Sequence, residues 1–129
     1  MDVKTDTKEK FTVITPEVKQ ISANMTESLQ EKLLAFLEND IPHIILNLQH
    51  VSGIAPEVAD MITGIHKQFY DHGASFIVCA MQKNVERVFE EQGQLELLNV
   101  TPTESEAWDI AQMEEIEREL MNDFDNNTE

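Results

Sequence analysis

The run Ile44-Ile45-Leu46-Asn47-Leu48 constrains this chain more than any other stretch. Its length and near-continuous apolarity fit a central strand covered on both faces, not the alternation of a strand with one wet side. A loop over Gln49 to Ala55, containing Gly53, separates it from a helical pattern starting at Pro56. Proline suits a first helical position, where its missing N–H costs nothing. Val58, Met61, Ile62, Ile65 and Phe69 then share one helix face as far as about Asp71, and His72-Gly73 supplies the stop. Phe76-Ile77-Val78-Cys79-Ala80 is a second buried run. Strand, helix and strand in that order imply a crossover and parallel pairing.

The flanking segments extend the same plan. Phe11-Thr12-Val13-Ile14-Thr15 is β-branched and alternating, and after Pro16-Glu17 the run Val18-Lys19-Gln20-Ile21 reads as a second short strand. From Thr26 the period changes, with Leu29, Leu33, Leu34, Phe36 and Leu37 forming a helical stripe that ends near Asn39-Asp40. Val85 to Glu91 is a short helix closed by Gly93, and Leu95 to Val100 a further strand. Thr103-Glu104-Ser105-Glu106 has capping-box spacing and opens a long last helix to about Asp123. Its apolar positions are Ala107, Ile110, Met113, Ile116, Leu120 and Phe124. The predicted class is α/β, with a mixed, mostly parallel five-stranded sheet, about four helices and a long C-terminal helix.

A length of 129 residues suits one domain. The polar segment 1–10 has nothing to bury and is expected as a flexible arm before a domain over 11–112, with 113–129 as an acidic extension of the last helix and tail. The last helix and tail together are sharply biased: from Glu104 to Glu129 there are ten acidic residues against the single Arg118. The net charge of −16 repels phosphate backbones and anionic lipid, so nucleic acid and membrane surfaces are poor partners. No apolar run approaches the ~20 residues of a membrane span, and none at the start resembles a signal peptide. With one cysteine, Cys79, no intrachain disulfide can form, and a reducing, cytoplasmic setting is expected. Its apolar neighbours make Cys79 a core residue rather than a reactive thiol.

The residues of chemistry are not arranged for it. His43, His50, His66 and His72 lack metal-ligand spacing and read as solvated surface residues, so no metal is expected. Four scattered glycines build no phosphate cradle, and neither Ser52 nor Cys79 has the context of a nucleophile. No catalytic residue and no cofactor is assigned, and the expected role is binding. The last-helix stripe of Ile116, Leu120 and Phe124 is expected to pack back on its own domain, with a helix-in-groove ligand or a dimer seam as alternatives.

The element order, with His43 to Leu48, Lys67-Gln68 through Gly73, Val78-Cys79-Ala80, and Val85-Glu86-Arg87-Val88-Phe89 followed by Gly93, resembles the STAS domain of bacterial anti-sigma factor antagonists. The resemblance covers about Phe11 to Ala111. It implies a partner-switching signalling module whose partner is an anti-sigma-like kinase or another signalling protein. In that family an Asp-Ser-Ser-Gly motif opens the second helix, and its second serine is phosphorylated. The gapless alignment sets Ala55-Pro56-Glu57-Val58 on that motif, so Glu57 replaces the phosphoacceptor.

A carboxylate in a first turn also simply stabilises its own helix, which is the plainer account of Glu57. As a phosphoserine mimic it is partial, with one charge where phosphate brings about −1.5 to −2. In a shifted register Ser52-Gly53 would supply the serine-glycine pair, leaving Ser52 as a phosphosite. The expected partner-binding edge is Ser52, Gly53, Ala55, Pro56, Glu57 and Asp60. The missing serine equally suits a STAS-like accessory subunit of a membrane ABC-type transporter.

Overall fold

The computed structural model describes residues 1–127, with side-chain surroundings described through residue 122. Phe124, assigned above to the last-helix stripe, lies outside those described side chains.

The central runs form the strands their apolarity demands. β1 (Val3–Thr7), β2 (Thr12–Pro16), β3 (Gln20–Ile21), α1 (Thr26–Leu34), β4 (Ile44–Asn47), β5 (Gly53–Ile54), α2 (Pro56–Asp71), β6 (Phe76–Cys79), α3 (Lys83–Glu91), β7 (Asn99–Thr101) and α4 (Glu104–Asn127) follow along the chain. The five-stranded sheet has the order β1-β2-β4-β6-β7. β2, β4, β6 and β7 are mutually parallel neighbours, and β1 joins β2 antiparallel. The α/β class and the mixed, mostly parallel sheet are as expected.

Alternate residues of the central strands feed two different cores. Ile44, Leu46, Phe76 and Val78 pack with Leu29 and Leu33 of α1, Val58, Ile62, Ile65 and Phe69 of α2, and Val85 and Phe89 of α3. Ile45, Ile77 and Cys79 face the other way and, with Phe11 and Val13, meet Ala107 and Ala111 of α4. One long helix therefore covers the second face, and its alanines let it approach closely. Trp108 closes the rim of that face edge-to-face on Phe11, with ring centroids 5.2 Å apart. Cys79 is fully buried, as its neighbours required.

The flexible arm is not what forms. Residues 3–7 make an edge strand in register with β2, from Val3↔Pro16 to Thr7↔Thr12, and Lys8 N–H bonds Phe11 O at 2.8 Å in the turn. Backbone pairing holds this strand, since residues 4–7 are solvent-exposed and carry no hydrophobic signal. The second short strand shrinks to Gln20–Ile21 and leaves the main sheet altogether, pairing parallel with β5. Leu95 to Leu97 is a 3₁₀ turn, and only Asn99–Thr101 joins the sheet. Gly73 and Gly93 end α2 and α3 with φ of +73° and +69°, the left-handed stop that glycine adopts without strain.

Two histidines depart from the surface role. His43 is buried and His66 half-buried, each accepting a backbone N–H: Ser75 N to His43 Nδ1 at 3.0 Å, and Asn99 N to His66 Nε2 at 3.3 Å. The outer stripe of α4 also departs from expectation. Met113, Ile116 and Leu120 are 57%, 55% and 62% exposed, and the helix is held inward by polar residues instead. Glu114 accepts from Tyr70 Oη at 2.7 Å, Glu115 accepts from His43 Nε2 at 2.8 Å, and Arg118 Nη2 donates to Ser75 Oγ at 2.6 Å. Beyond Ala111 the helix meets polar groups, so its polar face turns in.

Candidate functional site

The chain leaves β4 at the carboxyl end of the sheet, where ligands and partners of open parallel sheets are generally met. Asn47 organises the exit: its Oδ1 accepts Gln49 N–H at 2.9 Å and its Nδ2 donates to Glu104 Oε1 at 3.0 Å. Glu104 in turn accepts Trp108 Nε1–H at 3.1 Å, tying the turn to the start of α4. Beside it Ala80 takes φ of +59°, a left-handed conformation costly for a residue with a Cβ.

The segment then pairs with β3. Ser52 N–H donates to Lys19 O at 2.7 Å, Ser52 Oγ to the same oxygen at 3.0 Å, and Ala55 N–H to Ile21 O at 3.0 Å. Gln20 Nε2 reaches Ser52 Oγ at 3.4 Å. Gly53 lies under Gln20, whose Oε1 would be 2.5 Å from a Cβ there, so a side chain at 53 displaces that glutamine. The expected loop is thus a short parallel ladder, Gln20↔Gly53 and Ile21↔Ile54, that fixes the entry to α2. Lys19 and Gln20 belong to this edge although no spacing along the chain marks them; they lie more than thirty residues away and arrive only by pairing.

Ala55 caps α2 in extended conformation with no side-chain hydrogen bond, and its carbonyl accepts Val58 N–H at 2.9 Å. Pro56 and Glu57 are exposed in the first turn while Val58 and Ala59 are fully buried beneath them. Asp60, one turn on, is exposed and accepts Gln94 Nε2–H at 2.6 Å, which links α2 to the segment after α3. Ser52, Gly53 and Ala55 are half-buried. Ser52, Gly53, Ala55, Pro56, Glu57 and Asp60 therefore lie along one edge, from the β3–β5 ladder to the second turn of α2. An open cleft of about 500 Å³ lined by Glu17, Val18, Lys19 and His50 adjoins it.

The chemistry of this edge is that of a surface. Among the described residues no group of three or more His, Cys, Asp or Glu is placed to hold a metal. Burial, with the Glu104 charge beside it, pushes the Cys79 thiol up to about 12, so it stays protonated. No helix among the described residues is long and apolar enough to cross a membrane.

A five-stranded mixed sheet with three helices on one face, one long helix on the other and a braced turn into the second helix defines an α/β domain of the kind found in anti-sigma factor antagonists. The chain belongs to the STAS domain family, whose model matches residues 2–107. A candidate anti-sigma factor antagonist of Thermotoga maritima superposes with a TM-score of 0.77 at 20% identity, covering 85% of this chain and 94% of that one. The anti-sigma factor antagonist SpoIIAA in its unphosphorylated form gives 0.70 at 18% identity over 86% and 96%. The phosphorylated form of SpoIIAA, the Bacillus cell fate determinant, gives 0.61 at 18% over 84% and 97%. The murine anion transporter Slc26a9 contains a similar domain, with a TM-score of 0.67 at 16% identity, covering 81% of this chain and 18% of the transporter. These likenesses describe the fold.

Proposed function

We propose that this chain is a non-catalytic protein-binding module of the partner-switching kind, docking through the edge from Ser52 to Asp60. In this reading Glu57 occupies the position of the phosphoacceptor serine. The observation that carries it is the exposed Glu57 carboxylate, in the first turn of α2 directly after the braced β3–β5 ladder. A pre-set turn spends little ordering entropy on binding, and a fixed negative charge at a helix N-terminus gives a partner a definite electrostatic mark. SpoIIAA, a structural neighbour, exists in phosphorylated and unphosphorylated forms. This chain would instead be held in one charge state. Its partner in this reading is an anti-sigma-like kinase or a related soluble signalling protein.

Affinity capture with the full chain, followed by calorimetry on the captured partner, tests it. Glu57→Ser and Glu57→Lys should shift affinity by roughly tenfold or more, in the range of a charged interface residue. Equal affinity for all three chains refutes the assignment of Glu57.

A second reading rests on the missing phosphoacceptor serine: an accessory subunit docked on a membrane transporter of the ABC type, with no phosphorylation involved. The same fold does occur within the chain of a membrane protein, the anion transporter Slc26a9. Capture of a membrane ATPase in place of a soluble kinase-like protein decides for it.

A further inference from the structure

The outer face of α4 has been turned outward by the contacts of its inner face. Tyr70 on Glu114, His43 on Glu115 and Ser75 on Arg118 grip the helix at three positions across little more than one turn. Asn99 Nδ2 reinforces the grip by donating to Tyr70 Oη at 2.5 Å. A helix held at such positions cannot roll, so Met113, Ile116 and Leu120, spaced three and four apart, form a fixed apolar seam on the opposite side.

Acidic and polar side chains flank this seam. Glu117 follows it on one side, with Gln112 and Glu119 on the other. Beside Ile116 an open cleft of about 310 Å³ runs between α4 and the β1–β2 turn, where Glu9, Glu115 and Glu119 outnumber Lys10. The one basic residue of α4, Arg118, is already engaged with Ser75 and Glu115.

We infer that this seam is a docking site for a basic amphipathic helix of a partner protein. Its apolar face would cover Met113, Ile116 and Leu120, and its lysines or arginines would line up with Glu9, Glu117 and Glu119. Charge decides the occupant. A second copy would bring the same carboxylates face to face, with no free cation on the helix and a net charge of −16 on each chain. Anionic lipid is repelled for the same reason. The seam shares no residue with the edge from Ser52 to Asp60 and lies on the side of α4 opposite Glu114, the residue that meets Tyr70 of α2, so this inference is independent of the role of Glu57.

The test is an NMR titration of the full isotope-labelled chain with a synthetic Leu/Lys amphipathic peptide of about 18 residues, long enough for five helical turns. A scrambled peptide of the same composition, lacking an apolar face, is the comparator. Shifts should gather on residues 113–120 and Glu9, with the scrambled peptide much weaker. The combined variant Met113→Ser, Ile116→Ser, Leu120→Ser should lose about tenfold or more in affinity, as expected for removing an interface's apolar centre. Leu97→Ser, at another exposed apolar residue, should leave binding unchanged.

Equal binding of the scrambled peptide, or undiminished binding by the triple variant, overturns the inference. So does a dimer in sedimentation that the triple variant abolishes, which would make a second copy the occupant. Binding to phosphatidylcholine vesicles that the variant abolishes would overturn it in favour of lipid.

Discussion

His43, the residue before β4, donates from Nε2 to Glu115 on α4 at 2.8 Å while its Nδ1 accepts Ser75 N–H at 3.0 Å. A ring nitrogen that accepts a backbone N–H is unprotonated, so the contact with Glu115 is a hydrogen bond from a neutral imidazole despite its ion-pair geometry. Burial lowers the His43 pKa first, and Arg118 lowers it further against the opposing pull of Glu115 and Glu114. His66 is lowered by burial in the same direction.

Acid should therefore loosen the fold as pH falls below the ordinary histidine range. Both histidines take up protons more readily unfolded than folded, so their contribution is complete above the ordinary histidine range near 6.5 and is lost as pH falls through the lowered folded values. The urea midpoint should drop between pH 7.5 and 5.5. His43→Asn, whose Oδ1 can still accept from Ser75, should flatten part of that slope and cost about 1 kcal/mol at neutral pH for the lost bond to Glu115. A wild-type midpoint unchanged over this interval contradicts the assignment.

Glu57 has a stability role separable from any partner. In the first turn of α2 it faces unpaired backbone donors, and Glu57→Ala should cost about 0.3–1 kcal/mol at low ionic strength, less in high salt. Glu57→Lys should cost more, with the same fold by circular dichroism. Chemical unfolding at two salt concentrations reads both effects.

The β3–β5 ladder predicts a graded pair of variants. Ser52→Ala removes the hydroxyl's bonds to Lys19 O and Gln20 and should cost about 1 kcal/mol. Gly53→Ala should cost little, because the atom it meets is the far end of the flexible Gln20 side chain. A larger penalty for Gly53→Ala than for Ser52→Ala would mean that the ladder is held differently.

Cys79 should be inert in the folded protein. Fully buried and with its thiol pushed up to about 12, it offers neither access nor thiolate. Labelling with a disulfide reagent at pH 8 should proceed only through unfolding and become fast in urea. Rapid labelling of the native chain would contradict the burial.

Much of this architecture is written in the order of residues. The apolar runs at 44–48 and 76–80 become β4 and β6, the stripe from Val58 to Phe69 becomes the buried face of α2, and Gly73 and Gly93 end helices. Such features are local: periodicity and the conformational freedom of glycine need no knowledge of distant neighbours. The exposure of Pro56 and Glu57 follows in the same way from the buried Val58 and Ala59.

Tertiary structure alone decided the rest. Residues 3–7 became a strand because β2 offered an unpaired edge, and a ladder of backbone groups leaves no mark in side-chain composition. Ser52 and Gly53 were ordered by Lys19 and Gln20, brought beside them only by folding. Which side of α4 turned inward was likewise undecided by its own residues. Hydrophobic patterning favours burying Ile116 and Leu120, but past Ala111 the body of the domain presents His43, Tyr70 and Ser75, and these took Glu115, Glu114 and Arg118 instead. A helix buries the face that its neighbours can satisfy, and those neighbours lie far away along the chain.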